Sequence, residues 1–151
     1  MSLPTATLVA ATILTGLSAG LFYGFACAVM PGLRRSDDRT FVTAMRRINS
    51  SILNGWFAIG FLGAFVLPVV AAVLHLGSLR LPWIVAAIVL YAGGTLAITF
   101  RINVPLNNEL EAAGGRTNFE SRWVRWNVVR AVSSTGALGC LAAALAAALA
   151  A

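Results

Sequence analysis

Residues 120–130 carry the side chains best suited to chemistry in an otherwise apolar chain. Trp123, Asn127 and Arg130 are spaced i, i+4 and i+7 and therefore share one face of a helix, with Trp126 beside Arg130. A guanidinium and an amide can stabilise an oxyanion that forms on a substrate, and indole rings can hold a flat aromatic molecule. We therefore predict that Trp123, Trp126, Asn127 and Arg130 can line one polar pocket.

Four further asparagines extend this polar set. Asn103 and Asn107 flank Pro105, and Asn49 and Asn54 lie at the inner end of the second long apolar segment. The predicted topology brings all four to the same end of the bundle. Taken one by one, asparagines at helix ends cap backbone groups, and interfacial tryptophans and arginines bind the membrane surface. The clustering favours a polar pocket instead.

The composition identifies the elements that must position these residues. Of the 151 residues, 59% are hydrophobic and only 11% are charged, against about a quarter charged in soluble domains. Roughly 20 apolar residues of helix cross a hydrocarbon core, and a spanning segment must satisfy its own backbone. We predict an all-α fold, a polytopic membrane protein with a four-transmembrane-helix bundle as a single domain over residues 1–151, whose helices cover residues 4–30, 52–76, 81–104 and 123–150.

The first loop has the pattern of a short amphipathic helix. Phe41, Met45 and Ile48 recur at helical spacing, and the arginines of the segment fall elsewhere on the helical wheel. Ser36 or Asp37 can cap the helix start. We expect this helix to lie at the inner membrane surface.

Prolines and glycines predict where the long helices end. Pro31-Gly32 is expected to end the first helix, and Pro105 is expected to turn the chain at Val104. Gly114-Gly115 is expected to break the third loop, with a new helix starting near Asn118.

The first helix carries Gly16, Gly20 and Gly24, a repeated GxxxG pattern. Small faces of this kind let helices approach closely in lipid. Packing inside the bundle is the first interpretation, and a homo-oligomer formed through these glycines is the second.

The distribution of arginine predicts the orientation. All eleven basic residues are arginines: five lie in or beside the first loop, five in or beside the third, and one in the second. The positive-inside rule then places the first and third loops in the cytoplasm and both termini outside the inner (plasma) membrane. These arginines would attract anionic membrane lipids, so the pI near 11.1 does not require nucleic-acid binding.

Three motifs resemble a known family. MRRIN (residues 45–49), NVPLNNEL (residues 103–110) and WVRWNVVR (residues 123–130) are similar to the signature of the anthrone-oxygenase-like four-helix integral membrane proteins. The resemblance implies oxidation of a hydrophobic anthrone-type polyketide to an anthraquinone by O2, without a dedicated cofactor. In such a reaction Arg130 would stabilise the enolate, and Asn103, Asn107 and Asn127 would be further donors, which makes these four the predicted catalytic residues. The predicted substrate-binding residues are the tryptophans that would hold the flat substrate and two asparagines beside them: Trp123, Trp126, Asn49 and Asn54.

The general base is left open by the sequence. No Asp or Glu lies within the four apolar segments, and Glu109, Glu111 and Glu120 belong to the third loop. A substrate pKa lowered by the arginine, with water as the acceptor, is the remaining route.

Other functions remain as alternatives. A proton-coupled exporter would need an intramembrane carboxylate, and a haem carrier would need axial ligands beyond the lone His75. No CxxC or Cys/His cluster suggests a metal site. The stronger alternative is a non-enzymatic membrane scaffold that binds lipid or a partner protein.

Overall fold

A computed structural model describes residues 1–113 and 115–149 of the protein, and most of these residues are helical. The five helices are α1 (Leu3–Leu33), α2 (Asp38–Ser51), α3 (Gly55–Leu74), α4 (Leu81–Ala112) and α5 (Glu120–Leu149). Of these, α1, α3, α4 and α5 are long and apolar enough to cross a membrane. The predicted four-helix membrane bundle is confirmed.

The four long helices form a closed ring of neighbours. Helix α1 packs against α3 and α5, and α4 packs against the same two helices from the other side. Their interior contains fully buried aliphatic residues, among them Leu8, Ile84 and Leu141, together with alanines such as Ala11 and Ala71. The short side chains let the backbones approach, which is the main source of helix association in lipid.

The glycines of the predicted GxxxG face differ in their surroundings. Gly16 faces α5, where an added Cβ would lie 3.6 Å from Leu138 Cδ1. An added Cβ at Gly20 or Gly24 would meet no atom within 4 Å. Packing inside the bundle therefore accounts for Gly16 alone, and a homo-oligomer through the glycine face stays a prediction.

Helix α2 is the predicted amphipathic helix. Asp37 caps it, since its Oδ1 accepts from Thr40 N at 3.0 Å and its Oδ2 from Thr40 Oγ1 at 2.6 Å. These hydrogen bonds from Thr40 lower the pKa of the Asp37 carboxyl. Phe41 and Met45 are fully buried and join a second apolar cluster with Met30, Leu106, Leu110, Phe119 and Trp123.

The two prolines differ in their effect. Helix α1 ends at Leu33, one residue after the predicted end at Pro31-Gly32, whereas α4 continues through Pro105. Each proline lies two residues after a π-helical turn, Phe25–Val29 in α1 and Thr99–Asn103 in α4.

The π turns explain why the predicted turn at Val104 is wrong. The N–H of Val104 bonds to Thr99 O, five residues back, as the N–H of Met30 bonds to Phe25 O. Proline normally clashes with the carbonyl four residues before it, and the wider π turn moves that carbonyl away from the ring. Both helices can therefore extend past their prolines.

Helix α5 begins at Glu120, close to the start predicted near Asn118 and before the residue 123 bound of the transmembrane segment. Differences of one or two residues at a helix end carry little meaning. Gly114 of the predicted break, and residue 150 of the predicted helix end, lie outside the described residues.

Candidate functional site

A cavity of about 450 Å³ opens at the α2 end of the bundle. Side chains of α1, α2, α4 and α5 line it, together with the first turn of α3. Six of the eight predicted site residues are on its wall: Asn49, Asn103, Asn107, Trp123, Asn127 and Arg130. Residues that are separated by up to 81 positions in the chain, Asn49 and Arg130, are thus brought to one site.

Two predicted site residues lie away from the cavity. Asn54 caps α3, where its Oδ1 accepts from Phe57 N at 3.0 Å and its Nδ2 donates to Ser51 O at 2.8 Å. Trp126 is half-buried and lies under the Arg125 guanidinium, 5.9 Å from the ring centre. One residue of α-helix is a rotation of about 100°, so Trp126 points well away from the face that carries Asn127.

Arg130 is the centre of the site and only 5% exposed. Its Nη2 donates to Asn127 Oδ1 at 3.0 Å, and its Nη1 donates to Thr99 Oγ1 at 3.3 Å. Its Cζ lies 4.5 Å from the centre of the Phe22 ring and 5.2 Å from that of Trp123. Two cation–π contacts and two neutral acceptors therefore hold the guanidinium.

The charge of Arg130 has no carboxylate partner within residues 1–113 and 115–149; the ion pairs found there involve other arginines. Its Nε is buried and has no hydrogen-bond acceptor among the described residues. A buried cation without a counterion is costly. A bound oxyanion would supply both the missing charge and the missing acceptor.

The asparagines of the site are themselves held in place. Asn127 Nδ2 donates to Phe22 O at 3.1 Å, which ties α5 to α1. Trp123 Nε1 donates to Asn107 Oδ1 at 2.8 Å, and Asn103 Nδ2 donates to Trp123 O at 3.5 Å. The Oδ1 of Asn103 is buried without a partner. The amides thus brace the arginine and the indole as well as lining the cavity.

The π turns of α4 place its polar residues on the interior. Tyr91, Thr95, Thr99, Asn103 and Asn107 recur every four residues, and the first four are buried. In a regular α-helix such a row rotates by about 40° at each step and leaves the interior face. The π turns Ala92–Ala97 and Thr99–Asn103 reduce the rotation per residue, so these side chains all remain on the interior face. Short π segments of this kind often mark functional sites.

Glu111 continues this row and lines the cavity at its mouth, although the sequence did not distinguish it from the other loop carboxylates. Its side chain is 68% exposed and lies 3.7 Å from Arg46 Nε. Arg46 Nη2 also donates to Leu110 O at 3.0 Å and to Glu111 O at 2.7 Å, which ties α2 to the last turn of α4. The four-residue spacing from Asn107 was the signal that could have found Glu111.

Side chains that ligate metals are scattered. His75 follows the end of α3, at the end of the bundle opposite to α2, and Cys27 and Cys140 are separate free thiols. Among the residues that the structure describes, no three side chains of His, Cys, Asp or Glu come together as a metal site. The cavity therefore offers the guanidinium of Arg130, amides and aromatic rings, and Arg46, Arg47 and Glu111 add charged groups to its lining.

Comparison with known proteins assigns the chain to a family. No curated protein and no solved structure matches it. The sequence model of the family described as anthrone oxygenase matches residues 53–140, which is more than half of the chain and includes Asn103, Asn107, Trp123, Asn127 and Arg130. The chain belongs to the anthrone oxygenase family.

Proposed function

We propose that this protein is a cofactor-independent oxygenase that oxidises an anthrone-type or related aromatic substrate with O2 in the cavity at the α2 end. The observation that carries the proposal is the guanidinium of Arg130, which is buried, has no carboxylate partner among the described residues and lies between aromatic rings. Such a group suits a substrate that becomes an anion only during the reaction.

The cavity suits a flat aromatic molecule. Its volume of about 450 Å³ lies within the range of about 300–1,000 Å³ that is usual for small-molecule sites. Phe22, Phe25, Phe57 and Trp123 contribute ring surfaces to its wall. Phe25 and Trp123 lie 5.6 Å apart between ring centres at a tilt of 50°, so a substrate ring packs against edges and faces of both.

The reaction begins with loss of a proton. An anthrone has an acidic CH2 group that is conjugated through its rings with the carbonyl, and deprotonation leaves a negative charge on the carbonyl oxygen. Arg130 stabilises that oxygen, and because its position is fixed by Asn127 and Thr99, little reorganisation is needed. The enolate is therefore more stable beside Arg130 than it is in water. The barrier to its formation is lower for the same reason.

Oxygen then reacts at the deprotonated carbon. The enolate transfers its electrons to O2 and forms a C–O bond, and a hydroperoxide results once the distal oxygen is protonated. Loss of one water from the hydroperoxide leaves the quinone carbonyl, so that one oxygen atom enters the product and the other leaves as water. The substrate carbon is oxidised and O2 is the only oxidant that the sequence of steps requires.

We assign Glu111 as the proton acceptor in this scheme. It lines the same cavity, and its exposed side chain is in contact with solvent at the mouth. Arg46, at 3.7 Å, holds the carboxylate on that side of the cavity. A proton taken from the substrate, directly or through one water, can leave to bulk water along this path.

Oxygen uptake by purified protein supplied with a simple anthrone tests the proposal. The variant is Arg130→Gln, and the matched control is Arg125→Gln, which removes an exposed arginine from the same helix. Spontaneous oxidation in empty micelles is the background. We expect turnover above background that falls by about 10²–10³-fold in Arg130→Gln, the usual effect of losing an oxyanion donor, and persists in Arg125→Gln. Uptake equal to empty micelles would reject this substrate class.

A second function, a scaffold that binds anionic phospholipid, is favoured by a separate cavity of about 680 Å³ at the same end. Arg34, Arg35 and Arg116 line it. Arg116 is already paired, with its Nε 2.7 Å from Glu120 Oε2, and the hydrogen bond with Glu120 raises the pKa of Arg116. Arg34 Nε also lies 3.9 Å from Glu120 Oε1. Among the described residues the exposed Arg35 is therefore the arginine of this cavity that is available to a headgroup phosphate. Retention of anionic lipid by a protein without oxygenase activity would favour this function.

We propose further that the α2 end faces the cytoplasm of a cell whose inner membrane holds this protein, with both termini outside. The proposal is supported by the arginines, five in or beside each of the first and third loops against one in the second. Labelling of an introduced cysteine at Ser78 in the second loop from the outside of intact cells checks it, because protection of that position would reverse the orientation.

A further inference from the structure

We propose that the substrate enters sideways from the bilayer, through an apolar groove between α1 and α3 that leads to the polar cavity. The inference rests on the proposed function, since it takes the ligand to be an apolar aromatic ketone that dissolves in the membrane. It concerns the route to the site and assigns a binding role to residues that the reaction itself does not use.

The groove has a volume of about 320 Å³ and lies on the outer face of the bundle. Leu17 of α1 and Trp56 of α3 form its rim and are 63% and 88% exposed. Both helices cross the membrane, so these exposed apolar side chains meet lipid. Phe57, Gly60 and Phe61 form the floor and one wall.

The groove and the polar cavity share a wall. Leu21, Ile52 and Phe57 line both of them. A single layer of side chains therefore separates the membrane-facing groove from the site of Arg130. Two of these residues, Leu21 and Ile52, are aliphatic and only half-buried, and rotamer changes of such side chains need no movement of the helices.

Gly60 keeps the groove open. A Cβ at this position would meet no atom within 4 Å, so the space in front of the glycine belongs to the groove. A larger side chain here would extend from that Cβ into the groove.

The position of the groove along the membrane normal suits an amphipathic aromatic ligand. Trp56 follows the first residue of α3, at the level where indole rings concentrate between headgroups and acyl chains. A phenolic polycyclic ketone has the same mixture of flat apolar surface and polar edge. It would therefore accumulate at the depth where the groove opens.

The aqueous mouth of the cavity is a poor entrance for such a ligand. Arg46, Arg47, Asn108 and Glu111 line that side, and an apolar molecule would have to leave the membrane to reach them. Transfer of apolar surface from lipid to water is unfavourable, in proportion to the area exposed. Lateral entry avoids that cost.

The first test is steady-state oxygen uptake by protein in lipid nanodiscs with an anthrone. Gly60→Leu fills the groove, and Gly139→Leu is the matched control, because Gly139 is exposed on α5 and a Cβ there also meets no atom within 4 Å. We expect KM to rise by about tenfold in Gly60→Leu, the scale on which small steric changes alter binding in apolar pockets, with kcat unchanged. Unchanged KM would overturn the lateral entrance.

The second test does not depend on turnover. Anthraquinone has the ring system of the ligand without the acidic CH2 group, and under ultraviolet light it labels nearby C–H bonds. We expect peptides of α1 and α3 that contain Leu17 and Phe57 to be labelled in the native protein and in Gly139→Leu, and to lose the label in Gly60→Leu. Label spread evenly over all lipid-facing peptides would overturn the proposal.

The two tests separate this proposal from the oxygenase proposal. Groove labelling that Gly60→Leu abolishes, in a protein without turnover, would support the entrance and reject the oxygenase. Turnover with a KM and a labelling pattern that Gly60→Leu leaves unchanged would reject the entrance and support the oxygenase.

Discussion

At the end of the bundle opposite to α2, aliphatic side chains fill the interior: Leu8, Ile84 and Leu141 are fully buried and alanines separate them. At the α2 end the interior contains a cavity of about 450 Å³, a buried guanidinium and several amides. The same four helices build both halves. The first half is packed for stability, and the second holds groups whose burial costs free energy.

The boundary between the halves is a set of satisfied hydroxyl groups. Tyr91 OH donates to Phe61 O at 3.0 Å and lies 2.7 Å from Ser18 Oγ. Four buried side-chain atoms have no hydrogen-bond partner among the described residues. Three lie on the cavity side of this boundary: Thr95 Oγ1, Asn103 Oδ1 and Arg130 Nε. The fourth, His75 Nε2, lies at the opposite end of the bundle. Unmet hydrogen-bonding capacity is thus concentrated where the cavity lies.

This contrast is what a binding or catalytic site requires. A site that is complementary to a ligand or a transition state has polar groups without hydrogen-bond partners when the ligand is absent. These groups lower the stability of the free protein. Tight packing in the other half offsets that loss. Substitutions in the two halves should therefore affect stability and activity in opposite ways.

Of the substitutions that test the difference between the two halves, Arg130→Met is expected to change turnover and stability most. Turnover should fall by about 10²–10³-fold with the loss of the oxyanion donor. The free energy of unfolding should rise by about 1–4 kcal/mol, as when buried ionic groups are replaced by apolar ones of similar size. Oxygen uptake and thermal unfolding in detergent measure the two quantities. A large fall in the unfolding temperature would show that Arg130 is mainly structural.

Gly94→Ala should have the opposite effect on stability. A Cβ at Gly94 would overlap the side chain of Ser133, including its Cβ, so α4 and α5 would have to separate. Overpacking of this kind costs about 1–3 kcal/mol. Thermal unfolding of the variant measures the loss.

The matched control for this substitution is Gly93→Ala. Gly93 is exposed, and a Cβ there meets no atom within 4 Å, so the unfolding temperature should change little. Adding Ser133→Gly to Gly94→Ala should recover much of the lost stability. Equal effects of Gly93→Ala and Gly94→Ala would contradict the close contact between α4 and α5.

Features that depend on local physical chemistry were predicted well from the sequence. The four membrane spans follow from hydropathy over about 20 residues. A cap at Ser36 or Asp37 follows from the short reach of such side chains to the next turn, and Asp37 is the residue that caps α2. The grouping of Arg130, Asn127 and Asn103 also followed, because the topology brings the ends of their helices to one side.

Features that depend on the path of the backbone were not predicted. The continuation of α4 through Pro105 depends on the π turn Thr99–Asn103, which the local residue pattern does not indicate. Trp126 is one helical residue away from Asn127, and the rotation of about 100° between them turns its side chain away from the cavity. The placement of Glu111 depends on both the π turns and the contact with Arg46. These are tertiary effects, in which packing overrides residue preference.

A smaller effect is expected at the boundary between the halves. Tyr91→Phe removes the hydroxyl that donates to Phe61 O and should destabilise the protein by about 0.6 kcal/mol, the average for hydrogen bonds between membrane helices. Tyr23→Phe is the control, because Tyr23 is 62% exposed. Thermal unfolding of the two variants side by side measures the difference. Equal shifts would mean that the hydroxyl network does not define the boundary.

The smallest expected effect concerns α2, which covers the cavity end of the bundle. The folded-state pKa of Asp37 is lowered by the hydrogen bonds from Thr40, so the carboxylate stabilises the helix fully above its unfolded pKa of about 3.9 and less as the pH falls through the folded value. Hydrogen exchange of the α2 amides, corrected for intrinsic rates, should show lower protection at low pH than at neutral pH.

Two variants assign this pH dependence to its source. Asp37→Asn keeps a good cap that does not titrate, so protection of the first turn of α2 should no longer vary with pH. Asp38→Asn removes the carboxylate that lies 3.1 Å from Arg116 Nη1 and should leave the variation due to Asp37 in place. If Asp38→Asn abolished the variation and Asp37→Asn did not, the ion pair with Arg116 would be the acid-sensitive contact that holds α2 over the cavity.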